Sequence, residues 1–439
     1  MRKKYYGEQT EKALRNFPFS AEPVSFALIG AIAEIKKAAA EANFRDSGLD
    51  SRRKTAIIRA CDEILAGEFN DQFRLPALQG GAGTSIHMNV NEVIACRATE
   101  ILGKAGAAVH PIDHVNRSQS TNDVLPSALK IAAVRLVRGL LDALDILVAA
   151  FEKKSIEFKD VLKLGRTHLQ DAVPTTLGAE FRAYAEIIKR DRQRIKQVIP
   201  YLLELNLGGT AIGNSINASP KYIRAVYQAL QKNTKLRFRP AANLMSQTSS
   251  QADFVMLSQA LTLLAMDASK IANDIRLLAS GPKGGLGEII LRELQKGSSI
   301  MPGKVNPVLP ETVNQLFFWV SGNDICIQHA AQASQLELGV MGPTIADSLI
   351  MSLKLTAEVL RKFAVDCVLK IKADKARCKE LLERSTAYAT LLNPHLGYDR
   401  VAGLVKETIR SGRTLRGLAV ERKLLNDKEF EKIIKTFQI

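Results

Sequence analysis

A chain of 439 residues, 46% hydrophobic and 24% charged, is an ordinary globular composition with apolar surface enough for a large core in two or three domains. No run of about 18 uninterrupted apolar residues occurs, which argues against a membrane span, and no apolar signal-peptide core follows the basic, aromatic start Met1 to Tyr6. The formal charge of +16 would suit nucleic acid, but runs such as Arg52-Arg53-Lys54, Lys189 to Lys196 and Lys370 to Lys379 also carry acids at helical spacing, so solvated helix faces are expected and no nucleic-acid partner.

In chain order, residues 1–120 read as an N-terminal helical domain with glycine-rich turns at Gly80 to Asn91 and His110 to Asp123. Residues 121–373 read as a bundle of long helices. The first, from about Val124 to Lys154, carries Leu129, Ala133, Leu136, Leu140, Leu144, Leu147 and Phe151 on one stripe. A polar loop, Gly165 to Leu177, leads to a second helix striped by Phe181, Tyr184, Ile188, Ile195, Val198 and Leu202. After a loop at Gly208 to Pro220, a third helix starts near Ala252. Its apolar residues, Leu257, Leu261, Leu264, Ala268, Ile271, Ile275 and Leu278, alternate steps of four and three. Such heptad-like seams predict nearly parallel or antiparallel packing. Gly281 to Pro307 is a long loop, followed by helices from Glu311 to about Gln332 and, after Gly339 to Pro343, from Ile345 to about Ile371. Residues 374–439 form a small C-terminal helical domain. The fold class is therefore all-α, with strands confined to small hairpins near the N-terminal part or beside Gly281. The five cysteines, Cys61, Cys96, Cys326, Cys367 and Cys378, are scattered without paired spacing; reduced thiols in a cytoplasmic protein are expected, with no metal site.

Up-down connectivity makes a further prediction. A helix from Val124 to Lys154 is about 45 Å long at 1.5 Å per residue. If it rises, the polar cluster Ser118 to Asp123 lies at the bottom, while Gly165 to Asp171 and, after a helix down and another up, Gly281 to Pro307 lie at the top. One active site drawing on all three clusters requires several antiparallel subunits. The seams supply faces for such a multi-subunit helical core, so an obligate oligomer with shared active sites is expected.

The densest chemistry lies in Gly297-Ser298-Ser299-Ile300-Met301-Pro302-Gly303-Lys304-Val305-Asn306-Pro307. Two hydroxyls, a cation and an amide fall within nine residues, flanked by glycines that allow unusual backbone angles. Gly281-Pro282-Lys283-Gly284-Gly285-Leu286-Gly287 just before it suits the hinge of a lid.

This loop matches in full the signature of the fumarase/aspartase superfamily, and the chain resembles that superfamily over nearly its whole length. Ser118 to Pro126 is similar to its Ser-(Ser/Thr)-Asn-Asp region, Gly165 to Pro174 to its Gly-Arg-Thr-(His/Gln) region, and Gly83-Thr84-Ser85 to its N-terminal substrate loop; Tyr6-Gly7 to Thr10 and Leu392-Asn393-Pro394 fit at the ends. The resemblance implies loss of a proton next to a carboxylate, through an aci-carboxylate intermediate, and expulsion of a leaving group from the neighbouring carbon. It makes Ser298, in oxyanion form, the general base, which demands loop closure that expels water and places backbone N–H groups and a nearby cation around the oxygen. Lys304 and Asn306 match its carboxylate-binding pair, and Thr84, Ser120, Thr121, Thr167 and Ser299 its neutral donors. Asn122 and the catalytic His168 match positions near the leaving group, and Glu311 matches an acid supporting the histidine through a bridging group. His87, His110, His114, His329 and His395 are read as structural.

Ser120-Thr121-Asn122-Asp123, Leu169 to Pro174 and Val308 to Gln315 resemble the ammonia-lyase branch, which implies a dicarboxylic amino acid, L-aspartate, converted to fumarate and ammonia with no organic cofactor. The hydratase branch, acting on malate and fumarate, is the alternative, followed by a lyase for a modified amino acid and by a non-catalytic structural homologue. The resemblance also implies a homotetramer. Three sites depart from the family pattern: Ile86-His87 stands where small polar residues precede an Asn, Gly213-Asn214-Ser215 replaces Gly-Thr-Gly, and Gly339 and Gly342 replace larger polar residues.

Overall fold

The structure, a computed structural model, describes residues 3–103 and 108–436; Met1 and Arg2 of the basic start lie outside them. The fold is all-α. The first helices are α1 (Glu8–Asn16), α2 (Phe26–Asp46), α3 (Ser51–Leu65), α4 (Thr84–Leu102) and α5 (Thr121–Glu157). A hairpin of β1 (Leu162–Thr167) and β2 (Gln170–Thr176) precedes α6 (Leu177–Leu202), α7 (Pro220–Thr234), α8 (Leu244–Ser249) and α9 (Ala252–Leu278). Then come α10 (Val308–Gln332), α11 (Gly342–Lys362) and the short α12 (Lys375–Arg384), α13 (Ala389–Leu396), α14 (Tyr398–Ser411), α15 (Leu415–Glu421) and α16 (Asp427–Thr436).

Backbone contacts group the chain into two compact units. The first comprises Met1–Leu141, Arg192–Leu264 and Phe318–Ala357; the second comprises Asp142–Asp191, Ala265–Phe317 and Glu358–Ile439.

In the first unit, α2 packs against α3 and α7 and is buried on almost every side, from Leu28 to Asn43, the buried set including Glu34 and Lys36. The buried Glu92 of α4 ties down the chain start, accepting from Gly7 N and Gln9 N at 2.9 Å and from Thr10 Oγ1 at 2.6 Å. The stripe residues Leu129, Ala133 and Leu140 of α5 and Leu257, Leu261 and Leu264 of α9 are all core.

In the second unit the stripes continue through Leu144, Leu147 and Phe151, and through Ala268, Ile271 and Ile275. Phe151, Phe158 and Phe181 meet edge to face, with Phe181 centred 6.1 Å from Phe151 and 5.4 Å from Phe158, the arrangement that ring quadrupoles favour. Helices α12–α16 close around Leu382, Tyr388, Leu392, Leu404, Leu415 and Phe430, with Leu164 of β1 in the same cluster. The C-terminal helices thereby fix the base of the hairpin.

The stripes thus pack as core. Helix α9 is long and apolar enough by composition to cross a membrane, but its stripe is buried within the chain. Other details differ from expectation. Gly80 to Asn91 is only partly turn, because α4 starts at Thr84. Gly165 to Leu177 is the β1–β2 hairpin rather than a loop. The hairpins expected elsewhere are, among the described residues, a single bridge between Pro23 and Pro76 and, beside Gly281, an antiparallel pair of Ile289–Ile290 with Lys372–Ala373. The helix expected to reach Ile371 ends at Lys362 and passes into a π-turn, Phe363–Cys367.

Candidate active site

The first unit carries Thr84, Ser120, Thr121 and Asn122. Thr84 opens α4 behind Gly83, whose φ of +83° is natural only to glycine, and whose missing Cβ leaves room for the Leu125 side chain of α5. The N-termini of α4 and α5 therefore lie side by side. Helix α5 begins in a capping box: Ser120 Oγ accepts from Asn122 N at 3.3 Å, and Asp123 Oδ1 accepts from Ser120 N at 2.8 Å. Asp123 Oδ2 also accepts from Gly208 N at 2.9 Å and Thr210 N at 3.2 Å, and Asn122 Nδ2 donates to Ala211 O at 2.8 Å. The 208–217 loop and the Ser120 turn are thus one built structure, flanking a cleft of about 680 Å³. Burial raises the Asp123 carboxyl to about 6, against the pull of its three N–H donors.

Behind this turn lies Lys36, fully buried, its Nζ donating to Asn116 Oδ1 at 2.8 Å and Gln119 Oε1 at 3.0 Å. Burial lowers its ammonium to about 7, with Asp123 and Cys61 pulling the other way. Because the unfolded lysine titrates near 10.5, the unfolded chain holds a proton that the folded chain lacks between about pH 7 and 10.5. The Lys36 contribution to stability therefore rises with pH through that window, by up to about 1.4 kcal/mol per unit. Asp123 acts oppositely and lower, its contribution falling as pH rises from about 4 to 6. Denaturation midpoints recorded from neutral to alkaline pH should show the rise in the wild type and a flatter profile in Lys36→Met.

The departures from the family pattern cluster here. Ser215 stands at φ +61°, a left-handed position where the family carries glycine, and Asn214 lines the cleft. Gly339 and Gly342 border a cavity of about 20 Å³ shared with Thr121, Asn122 and Gln251, room for one water. A side chain at Gly339 would collide with the Gln251 amide. His87, read above as structural, is buried with Nδ1 2.8 Å from Thr121 Oγ1.

The second unit carries Thr167, His168, Ser298, Ser299, Lys304, Asn306 and Glu311. Thr167 pairs with Gln170 across a two-residue turn. His168 and Leu169 form that turn at φ +55° and +60°, as in a type I′ hairpin, where Asn-Gly is usual. Each non-glycine residue at positive φ costs about 1–2 kcal/mol, and such strain is commonest where function fixes the backbone. The tip is exposed, Leu169 by 71%.

A buried ion cluster fixes the hairpin from below. Glu288, at 0% exposure, accepts from Arg166 at 2.9 Å and lies 3.1 Å from Lys163 Nζ without hydrogen-bond geometry. Lys163 donates to Glu180 at 2.7 Å. Glu288 follows Gly281 to Gly287 directly, so it joins the arm carrying His168 to the segment leading into the Ser298 loop.

In that loop, Ser298 Oγ accepts from Ile300 N and Met301 N, both at 3.1 Å. Asn306 Nδ2 donates to Gly297 O at 2.8 Å and closes the loop at its neck. A Cβ at Gly297 would strike the Lys304 carbonyl, which accounts for glycine there. Lys304 and Ser299 are exposed, and Lys304 has no ion pair among the described residues. Glu311 lies in the first turn of α10. Among the described residues no hydrogen bond joins Glu311, His168 and Ser298.

Lys36, Asp123, Lys163 and Glu288 were not picked out by sequence reasoning, and His87 only as a departure from the family pattern. Two had a signal: a lysine amid the alanines and isoleucines of Ala31 to Ala42, a run that also carries Glu34, Lys37 and Glu41, and Ser120-x-x-Asp123 as a capping-box pattern. The partners of the other three are remote in sequence.

A helical fold bearing such a serine loop defines a lyase, and comparison with known proteins supports this. Residues 1–322 match the family model described as lyase, and residues 389–438 the one described as fumarase C C-terminus. The chain is 44% identical to the aspartate ammonia-lyase of Bacillus subtilis (strain 168), over 99% of this chain and 92% of that protein. It is 42% identical to a class II fumarate hydratase of Campylobacter jejuni, over 98% and 94%. A fumarate lyase/delta-crystallin protein of Brucella melitensis, solved bound to cobalt, superposes with a TM-score of 0.95 at 42% identity, over 100% of this chain and 97% of that one. The chain belongs to the fumarase/aspartase superfamily.

Proposed function

We propose that the protein is an aspartate ammonia-lyase, a carbon–nitrogen lyase converting L-aspartate reversibly to fumarate and ammonia. The observation that carries this reading is the Ser298 oxygen facing two backbone N–H groups at 3.1 Å. Those donors stabilise an alkoxide, which is what turns a weakly acidic hydroxyl into a base. Ser298 would take the proton from the carbon next to one carboxylate. The electron pair moves into that carboxylate as an aci-carboxylate, then forms the double bond as the C–N bond breaks and ammonia leaves. Lys304 and Asn306 would hold the carboxylate as charge develops, a charged donor for strength and an amide for direction. Thr84, Ser120, Thr121, Thr167 and Ser299 would supply neutral donors, with Asn122 and His168 at the leaving group and Glu311 behind the histidine.

The resemblance of Ser120 to Asp123 and of Val308 to Gln315 favours the ammonia-lyase branch, as does similarity to the Bacillus subtilis protein. Similarity to a class II fumarate hydratase at 42% keeps malate as the second substrate to assay. The test is equal release of ammonium and fumarate from L-aspartate; release of neither would contradict the reading.

The active form would be a homotetramer with active sites shared between subunits. Large apolar side chains left exposed on the long helices, such as Leu263 and Met266 of α9 and Trp319 and Ile325 of α10, support association, as does the exposed, strained tip at His168. Chains carrying Ser298→Ala and Asn122→Ala should each be inactive and recover activity when reassembled together. Failure to recover, with mixed oligomers formed, would rule out sharing. Five free thiols fit the reducing cytoplasm proposed as its location.

A further inference from the structure

We infer that His87 is a positioning residue that commits the Thr121 hydroxyl to donating its hydrogen to the substrate. This rests on the reading of Thr121 as a substrate-binding group.

The ring is 1% exposed. Nδ1 lies 2.8 Å from Thr121 Oγ1, and Nε2 is buried with no hydrogen-bond partner among the described residues. Burial, with the Lys36 ammonium adding to it, holds the imidazole well below its ordinary titration range, so it is neutral. A neutral imidazole has one N–H, and there are two ways to place it. With the hydrogen on Nε2, a buried N–H has no acceptor, and the Thr121 hydrogen must turn back onto Nδ1. With it on Nδ1, the hydrogen is used on Thr121 Oγ1 and only a lone pair on Nε2 goes unpaired. Orphaned buried N–H groups are rarer than under-used acceptors, so the hydrogen belongs on Nδ1.

The Thr121 oxygen then accepts from the ring, and its own hydrogen must point elsewhere. Thr121 heads α5, half-buried beside Asn122 on the wall of the small cavity. A hydroxyl fixed in this way presents a donor, the polarity a carboxylate requires, and accepting from His87 strengthens that donor. In the opposite tautomer Thr121 would offer a lone pair and repel the carboxylate. Replacing the histidine frees the hydroxyl to rotate, so bound and unbound substrate differ less in energy. The effect falls on binding rather than on proton transfer, and it reads as KM.

The test uses the full-length enzyme with L-aspartate, comparing His87→Leu, His87→Asn, His87→Gln and Thr121→Val. An Asn side chain sets its amide at the position of Nδ1, whereas Gln sets it at that of Nε2. His87→Leu should raise KM about five- to tenfold, the worth of one hydrogen bond, with kcat changed less than about twofold. Asn should restore KM and Gln should not. Unchanged KM in His87→Leu, or equal rescue by Gln and Asn, would overturn the inference. If Thr121→Val also left KM unchanged, the assignment of Thr121 itself would have failed; if it raised KM alone, only the role of His87 would. Should His87→Leu not fold, neutron diffraction of the wild-type protein decides independently: deuterium on Nδ1 supports the inference, and deuterium on Nε2 overturns it.

Discussion

Ser298→Ala should lower kcat for L-aspartate by about 10³-fold, within the range that a positioned general base supplies, while KM changes only a few-fold. The side chain lies in a half-exposed loop and its partners among the described residues are Ile300 N and Met301 N, so the denaturation midpoint should not move. On the proposed mechanism, loss of the hydroxyl would remove the base and leave two N–H groups without a target, while the proposed carboxylate contacts of Lys304 and Asn306 would remain. Ser299→Ala is the control, because it would remove a proposed binding donor without touching the proposed base, and should raise KM more than it lowers kcat. Steady-state rates measured by fumarate absorbance separate these patterns.

The second large effect falls on stability. Glu288→Gln keeps the volume of the side chain but leaves Lys163 and Arg166 beside a neutral group, with Lys163 buried to 1% exposure. Breaking one partner of a buried ion cluster costs about 3–5 kcal/mol, and a drop of that size in denaturation free energy is expected. Removing the cation that loses its hydrogen-bonded carboxylate as well, in a Glu288→Gln, Arg166→Met double variant, should recover part of the loss. The non-additivity measures the coupling. Since Arg166 is two residues from His168, Glu288→Gln should also lower activity at temperatures where the protein remains folded.

What was legible in the sequence follows from how local each feature is. The long helices announce themselves through stripes at three- and four-residue steps, and those stripes, from Leu129 to Phe151 and from Leu257 to Leu278, are buried except for the half-buried Leu136. The Ser298 loop was legible because its hydroxyls, cation and amide sit within nine residues. The β1–β2 hairpin was not, because its turn signal is normally Asn-Gly, and here His168 and Leu169 hold the same backbone under strain. The start of α4 was hidden by the glycines before it, which look like loop until Gly83 is seen packed on Leu125. Groups that act through tertiary contact had no local signature. His87 and Thr121 are 34 residues apart, Lys36 and Asn116 are 80, and Arg166 and Glu288 are 122.

The most direct measurement of the central claim is a comparison of kcat/KM for L-aspartate and L-malate in the wild-type enzyme, both read as fumarate formed. A site built to recognise an ammonium leaving group should favour L-aspartate by about 100-fold or more, since unpaired polar groups penalise the wrong substrate strongly. Efficient turnover of L-malate with none of L-aspartate would contradict the account and assign the chain to the hydratases.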